Sequence, residues 1–176
     1  HALDQQRVGG LHFETALFTN LTQDHLDYHG TMENYMQAKR KLFAMCDTAV
    51  VNFDDPYAAG MTEGLDCKVV SYSAASDDAT YSAKGINYRP DGVDFQFVGF
   101  DVISRVRLKT AGMFSVYNAL CAGSCAVSLG VPINTVTTAL SAVPGVKGRA
   151  EVVPTGRDFT VVIDYAHTPD ALENIL

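Results

Sequence analysis

A dense group of polar side chains between residues 20 and 30 could bind a divalent cation. It contains two histidines four positions apart, His25 and His29, and two aspartates, Asp24 and Asp27. Imidazole nitrogens and carboxylate oxygens are common ligands of divalent ions. Polar loops also cap the following helix or are simply solvated, so the spacing by itself leaves both interpretations open.

A lysine occupies an apolar position of the helix that is predicted after this loop. On a wheel of about 100° per residue, Lys39 falls at the centre of a stripe formed by Met32, Tyr35, Met36, Leu42 and Phe43. Desolvation would lower the pKa of this lysine and make its neutral amine available as a nucleophile or base, or for reaction with carbon dioxide to give an anionic carbamate. The alternative is a lysine whose stem covers the core while the ammonium reaches water.

An asparagine near the start of a second predicted helix could recognise a nucleotide base. Asn118 lies in a helix predicted from Ser115 to Leu129, whose interior consists of small residues. Its amide offers one donor and one acceptor, the pair that an adenine edge requires, although an Asn in the first turn often caps its own helix. Cys121 and Cys125 share a face of this helix, and we interpret them as core thiols rather than metal ligands.

Two polar clusters near the end of the sequence could contact phosphate and ribose. Lys147 and Arg149 lie on a glycine-containing loop, where a guanidinium could bind phosphate in a bidentate manner; a solvated basic loop is the alternative. Asp164 is predicted at the end of a strand, where α/β enzymes hold ribose hydroxyls or metal, and His167 follows it. This second cluster could equally be a simple strand-to-helix turn.

Composition and charge exclude several classes of protein. The 176 residues are 47% hydrophobic and 19% charged, as in ordinary globular domains. The net charge of −7 disfavours broad binding of nucleic acid or anionic membranes. No apolar run approaches the roughly 18 residues that cross a bilayer, so we expect no membrane insertion and a cytoplasmic location. The four cysteines lack a C-x-x-C pair, and we expect reduced thiols.

The elements that must position these side chains alternate between strands and helices. Buried strands are predicted at residues 16–19, 48–52 and 68–72, with helices between them. The first long helix is predicted to be capped by Thr31 and to run to about Cys46. This βαβαβ pattern predicts a parallel sheet with helices on its faces.

The pattern changes in the second half of the sequence. Residues 80–110 alternate in polarity or are β-branched and predict an antiparallel meander with a turn at Pro90 to Gly92. Helices are then predicted at 116–129 and from about Pro132 to before Pro144. Two further predicted strands and a last helix complete the sequence, at 151–153, 160–164 and from Thr168.

These elements predict an α/β fold class: a mostly parallel sheet flanked by helices, with a small antiparallel β meander inserted. Two common catalytic motifs are absent from the 176 residues. There is no G-x-x-x-x-G-K-[ST] phosphate-binding loop and no G-x-S-x-G nucleophile elbow.

Taken in order, several segments of this sequence resemble the Mur ligases, most closely the MurE type that adds the third residue of the peptidoglycan stem peptide. The resemblance extends over essentially all residues and is most specific at 19–30, 38–43, 51–55, 148–151 and 164–172. It implies that the mostly parallel sheet is of the P-loop type and that residues 1–163 belong to the central ATP-binding domain, without its P-loop segment. Residues 164–176 would then begin the C-terminal ligase domain.

The resemblance also implies a reaction. In this family ATP activates the carboxylate of a UDP-N-acetylmuramoyl peptide as an acyl phosphate, and an incoming amino group displaces phosphate to form an amide. The implied cofactors are ATP and Mg²⁺. The implied partners are a UDP-N-acetylmuramoyl dipeptide and an amino acid, either meso-diaminopimelate or L-lysine. We expect a monomer that binds no nucleic acid.

Individual residues match positions with known roles in the family. The resemblance assigns magnesium binding to His25, carbamylation and metal binding to Lys39, muramoyl-substrate binding to Gln5 and Arg7, and nucleotide binding to Asn118 (adenine), Arg149, Asp164 (ribose) and, more weakly, His167. Ser115 departs from the family, because relatives often carry a second Asn there. The second amide contact that such an Asn would make is therefore not expected in this chain.

The sequence starts at His1 without an initiating Met and stops within a predicted helix, so we expect a segment of a longer chain. Because the family places its P-loop upstream, the segment alone is expected to be inactive. Two alternatives remain open. One is a related folylpolyglutamate or cyanophycin type of ligase domain, and the other is a non-catalytic module that binds nucleotide or metal.

Overall fold

Alternating strands and helices form the first part of the chain. The computed structural model describes residues 1–89, 91–100, 102–167 and 169–175, without the side chains of Asp170 and Asn174. The elements are β1 (Phe13–Phe18), α1 (Leu26–His29), α2 (Met32–Arg40), β2 (Cys46–Asn52), α3 (Ala58–Thr62), β3 (Lys68–Ser73), β4 (Tyr81–Arg89), β5 (Gly92–Gly99), β6 (Val102–Leu108), α4 (Met113–Ser128), α5 (Ile133–Ala142), β7 (Glu151–Val153), β8 (Val161–Ile163) and α6 (Pro169–Ile175).

Strands β1 to β6 form one sheet in sequential order. β1 to β4 pair in parallel, which confirms the predicted βαβαβ unit, and β4, β5 and β6 pair in antiparallel fashion, which confirms the meander. The meander continues the parallel sheet, because β4 pairs with the end of β3 through Tyr72↔Tyr81 and Ser73↔Ser82. Of the predicted turn before β5, Pro90 lies outside the described residues.

The sheet separates two hydrophobic cores, because successive strand residues point to opposite faces. On one face, Ala49 and Val51 pack in a cluster with Met36 of α2. On the other face, Val50 packs in a cluster with Leu120 of α4. A central strand buried on both sides is typical of a parallel sheet covered by helices.

The small residues of α4 let it pack closely against the sheet, as the sequence predicts. A Cβ added at Gly123 would lie 2.6 Å from a ring carbon of Phe97, closer than two carbon atoms pack. Any larger residue at this position would push the helix away from β5. The helix begins at Met113, two residues before the predicted start.

The predicted end of the first long helix is wrong in one respect. Thr31 caps α2 as predicted, since its Oγ1 accepts a hydrogen bond from Asn34 N at 3.1 Å. The α-helix ends at Arg40, and a 3₁₀ turn follows at Lys41–Met45. The 3₁₀ turn ends where the next strand begins, because Cys46 is the partner of Phe13 in the sheet and has extended backbone angles.

Strands β7 and β8 pair with each other as a separate antiparallel ribbon. The two predicted strands are thus confirmed, and the last helix is described from Pro169, while its predicted first residue Thr168 lies outside the described residues. All four cysteines are free thiols. Among the described residues, no helix combines the length and apolar character that crossing a membrane requires.

Candidate functional site

The loops that follow β1, β2 and β3 meet at one edge of the sheet, because parallel strands end on the same side. Side chains of the β2 loop bridge them. Asn52 Nδ2 donates to the carbonyl oxygen of Thr19 at 2.9 Å, and Asp55 Oδ2 accepts a hydrogen bond from Leu21 N at 2.9 Å. His25 follows the β1 loop, and the carboxylate of Asp55 in the β2 loop acts on Lys39.

Lys39 lies half-buried in the last turn of α2. Its Nζ lies 5.0 Å from the centroid of the Tyr35 ring, a cation–π distance. Burial lowers the pKa of Lys39, and the carboxylates of Asp24 and Asp55 partly oppose this shift. The local environment therefore makes the neutral amine more accessible than in water, which is the condition that carbamate formation requires.

His25 borders the same tyrosine. Its ring centroid lies 6.2 Å from that of Tyr35, in an edge-to-face arrangement, and its Nε2 lies 3.3 Å from Asp24 Oδ2. The residue has a left-handed backbone, with φ of 53°, immediately before α1. The structure thus brings His25 and Lys39, predicted from separate features of the sequence, to one aromatic side chain.

The four candidate ligands of the 20–30 loop are not arranged as one cluster. His29 packs inward, stacked on Tyr35 with ring centroids 4.9 Å apart, and its buried Nε2 has no hydrogen-bond partner. Within the described part of the chain, no group of three or more His, Cys, Asp or Glu side chains is arranged to hold a metal ion.

Gln5 and Arg7 lie exposed on hydrogen-bonded turns at the start of the chain. The residue beside them anchors these turns to the site. Asp4 accepts a hydrogen bond from the Tyr28 hydroxyl at 3.0 Å and forms an ion pair with Lys41. These two donors lower the pKa of Asp4. The turns are thereby held against α1 with both predicted substrate-binding side chains free to contact a ligand.

Asn118 lies exposed in the second turn of α4, and its interpretation as a local cap is wrong. The N-cap of α4 is Gly112, and no side chain caps it. Ser115, where the family often has Asn, is buried and its hydroxyl donates to the carbonyl oxygen of Ala111 at 2.8 Å. Tyr117, which precedes Asn118, is bound to another part of the fold: its hydroxyl donates to Asp54 Oδ2 at 2.9 Å.

Arg149, Asp164 and His167 form a second group around Tyr165. The Arg149 guanidinium carbon lies 5.2 Å from the centroid of the Tyr165 ring, and His167 Nδ1 lies 3.0 Å from the Tyr165 carbonyl oxygen. Asp164 accepts hydrogen bonds from the amides of Ala150 and Ala166, both at 2.7 Å. Among the described residues, the contacts of this group reach neither Lys39 nor Asn118.

Three side chains that organise these groups have no functional role predicted from the sequence: Tyr35, Tyr165 and Asp54. Tyr35 is predicted only as part of the apolar stripe. The sequence does contain a feature that indicates a role for Asp54. Asp54 and Asp55 follow directly after a buried strand, and functional polar residues are common at the carboxyl ends of parallel strands.

Comparison with known proteins relates this arrangement to one family. The family model described as "Mur ligase middle domain" matches residues 1–126. The chain is 49% identical to the UDP-N-acetylmuramoyl-L-alanyl-D-glutamate--2,6-diaminopimelate ligase of Caldanaerobacter subterraneus subsp. tengcongensis, with all of the chain and 36% of that protein covered. It is 43% identical to the ligase of the same name from Halalkalibacterium halodurans, covering all of the chain and 37% of that protein.

Solved structures agree with these sequence matches. A structure of UDP-N-acetylmuramoyl-L-alanyl-D-glutamate--2,6-diaminopimelate ligase has a TM-score of 0.83 and 34% identity, covering 98% of this chain and 36% of that one. The MurF ligase from Thermotoga maritima in complex with ADP shares the fold, with a TM-score of 0.77 and 19% identity over 97% of this chain and 39% of that one. The chain spans little more than a third of the length of these proteins.

Proposed function

Because the chain belongs to the Mur ligase family, we propose that it forms the greater part of the central ATP-binding domain of a ligase that adds meso-diaminopimelate to UDP-N-acetylmuramoyl-L-alanyl-D-glutamate. The names of the most similar curated relatives support diaminopimelate over L-lysine. The parent protein would thereby act in peptidoglycan synthesis. A cytoplasmic location and a monomeric state are part of this proposal.

The domain boundary is proposed at residue 163. Residues 1–163 would form the ATP-binding domain, without the P-loop that the 176 residues lack. Residues 164–176 would begin the amino-acid-selecting domain. The last strand of the β7–β8 ribbon ends at Ile163, so the proposed boundary coincides with the end of an element.

The proposed reaction is the formation of an amide through an acyl phosphate. ATP transfers its γ-phosphoryl group to the free carboxylate of the dipeptide, and the amino group of diaminopimelate then displaces phosphate. The residues of this chain would act mainly by positioning, which dominates catalysis of phosphoryl transfer. Asn118 would bind adenine, Asp164 ribose, and Arg149 the phosphates, with His167 beside them. Gln5 and Arg7 would hold the muramoyl substrate.

Magnesium would offset the negative charge on the transferring phosphoryl group. His25 would supply an imidazole nitrogen to it, and a carbamate on Lys39 would supply an anionic oxygen. The donor chemistry fits, although the described residues provide only part of a complete ligand set. Asp24 would orient the His25 ring, given the 3.3 Å between its Oδ2 and the ring Nε2.

One observation carries the proposal for this site: Lys39 is half-buried beside Tyr35, has a depressed pKa, and forms no ion pair with any described residue. A lysine with a depressed pKa beside polar loops is a candidate functional residue.

The function is tested by measuring phosphate release by the full-length protein. We expect release to require ATP, the UDP-linked dipeptide and meso-diaminopimelate together, with L-lysine used at least about 10²-fold less efficiently. Use of a folate and glutamate instead would establish the alternative ligase type. Binding of nucleotide with no amide formed in any combination would establish the non-catalytic module.

A further inference from the structure

Asp54 joins three segments that are distant in the sequence. Its carboxylate accepts hydrogen bonds from Ser73 Oγ at 2.5 Å, Ala74 N at 2.7 Å and Ala75 N at 3.2 Å, all at the end of β3. It also accepts a hydrogen bond from the hydroxyl of Tyr117 on α4, at 2.9 Å. The carboxylate of Asp54 therefore links the loop after β3 to Tyr117 of helix α4, which lies 63 residues further along the sequence.

The Asp54–Tyr117 hydrogen bond holds the first turns of α4. The N-cap Gly112 has φ of 91° and no capping side chain, and the Ser115 hydroxyl bonds only to the nearby Ala111 carbonyl. Burial, followed by the bond to Asp54, raises the pKa of Tyr117 to about 12. Its hydroxyl therefore remains a proton donor throughout the neutral range, and the bond to the carboxylate is charge-assisted.

Tyr117 immediately precedes Asn118, so whatever fixes the rotation of α4 at Tyr117 also fixes the direction of the Asn118 amide. Adjacent helical residues are separated by about 100°. A rotation of α4 by about 20° would move an atom ~6 Å from the helix axis by about 2 Å, which is more than a hydrogen bond tolerates.

We propose that Asp54 and Tyr117 are a positioning pair that sets the rotation of α4 and thereby allows the exposed Asn118 amide to distinguish adenine from other purines. The inference rests on the proposed function, in which Asn118 binds the base of ATP. Neither member of the pair touches the nucleotide. The pair is expected to control base selectivity rather than the chemical step.

The test compares ATP with inosine triphosphate, which carries a carbonyl in place of the exocyclic amine of adenine. In the full-length protein, Tyr117→Phe removes the hydroxyl and keeps the ring. We expect it to lower the ratio of kcat/KM for ATP to that for inosine triphosphate at least about fivefold, through KM for ATP, with kcat within about twofold of the unchanged protein. If Tyr117 had a purely structural role, Tyr117→Phe would lower kcat/KM for both nucleotides equally and would leave the ratio unchanged.

Tyr88→Phe is the matched control. The Tyr88 hydroxyl also contacts α4, donating to the sulfur of Met113 at 3.4 Å, but the side chain is exposed and does not meet Asp54. We expect its selectivity ratio to equal that of the unchanged protein. An equal loss of selectivity in Tyr117→Phe and Tyr88→Phe would overturn the inference, because any disturbance at the start of α4 would then be enough to reduce selectivity.

Asn118→Ala separates this inference from the proposed function. If Asn118→Ala abolishes selectivity and Tyr117→Phe does not reduce it, the positioning role is wrong and the adenine contact stands. If Asn118→Ala leaves selectivity intact, the adenine contact is wrong and the inference fails with it. If the inference is correct, Tyr117→Phe added to Asn118→Ala causes no further change in the ratio.

Discussion

The edge of the parallel sheet and the ribbon end around Tyr165 hold their polar residues in different ways. At the sheet edge, side-chain hydrogen bonds join segments far apart in sequence, such as Asp54 with Tyr117 and Asp55 with Leu21. Around Tyr165, Asp164 bonds to Ala150 across a short ribbon whose strand residues Val162 and Ile163 are exposed. The first arrangement is part of the folded core, whereas the second is a local loop structure.

This difference predicts different consequences of substitution. Removing a side chain from the sheet edge changes both the chemistry and the packing around it, because its partners are half-buried. Removing an exposed side chain near Tyr165 changes only its interaction with a ligand, because little of the fold depends on it. The effects of substitutions on the activity and stability of the full-length protein should therefore differ between the two regions.

The largest effect is expected at Lys39. Lys39→Ala should reduce kcat/KM about 10³-fold or more, because the site loses an anionic metal ligand once the carbamate is gone. A short carboxylic acid added to the assay should restore part of the activity by occupying the vacated space. Lys39→Arg should remain inactive, since a guanidinium stays charged and forms no carbamate.

The control for this prediction is Lys68→Ala, which removes an exposed lysine at the start of β3. Its activity should be close to that of the unchanged protein. Full activity of Lys39→Arg would contradict the carbamate, as would a Lys39→Ala protein that binds both substrates normally but does not respond to carboxylate.

The second effect is expected at Arg149, in the ribbon region. Arg149→Ala should reduce kcat/KM for ATP by about 2 to 4 kcal/mol in transition-state terms, the range for losing one charged donor from a preorganised site. Because Arg149 is exposed and stacks on Tyr165, the free energy of unfolding should hardly change. Lys147→Ala, two residues away, is the matched control. Unchanged kinetics for Arg149→Ala would identify a solvated loop.

The third prediction compares the stabilities of the two regions directly. Asp54→Ala should lower the free energy of unfolding by about 3 kcal/mol, because Asp54 is the acceptor for four donors, among them the buried Ser73 hydroxyl. Asp164→Ala should lower it by about 1 kcal/mol, because Asp164 is the acceptor for only two backbone amides. Urea denaturation measures both, with the exposed Asp158→Ala as control. Equal losses at Asp54 and Asp164 would contradict the contrast between the regions.

The smallest effect is expected at His167. Its ring is exposed, and its Nδ1 lies 3.0 Å from the carbonyl oxygen of Tyr165, only two residues away. His167→Ala should raise KM for ATP by no more than about fivefold and leave kcat unchanged, whereas His25→Ala should lower kcat at least about 10²-fold. Steady-state kinetics of both variants decide the order. A larger loss of kcat in His167→Ala than in His25→Ala would indicate that the metal or the phosphates bind near the ribbon.

Local patterns in the sequence were sufficient for much of the fold. The βαβαβ order, the antiparallel meander and the Thr31 cap follow from alternation, helical periodicity and capping, which act within a few residues. The unusual place of Lys39 also emerged from periodicity alone. The wheel position of a polar residue on an apolar stripe needs no tertiary information.

The tertiary structure decided which of these residues meet. His25 and Lys39 share Tyr35, and the carboxylates of Asp24 and Asp55 act on Lys39, through contacts that no period in the sequence marks. The pairing of Cys46 with Phe13 ends the helical run, in which a 3₁₀ turn at Lys41–Met45 follows the α-helix.

The physical reason is the range of the forces involved. Helical periodicity and capping act between neighbours, so the sequence by itself determined the elements and the residues worth attention. Burial of a charge and a hydrogen bond such as that of Asp54 with Tyr117, 63 residues away, exist only once the sheet has assembled. The inward packing of His29, the exposure of Asn118 and the depressed pKa of Lys39 were therefore decided by the packing of α1, α2 and α4 on that sheet.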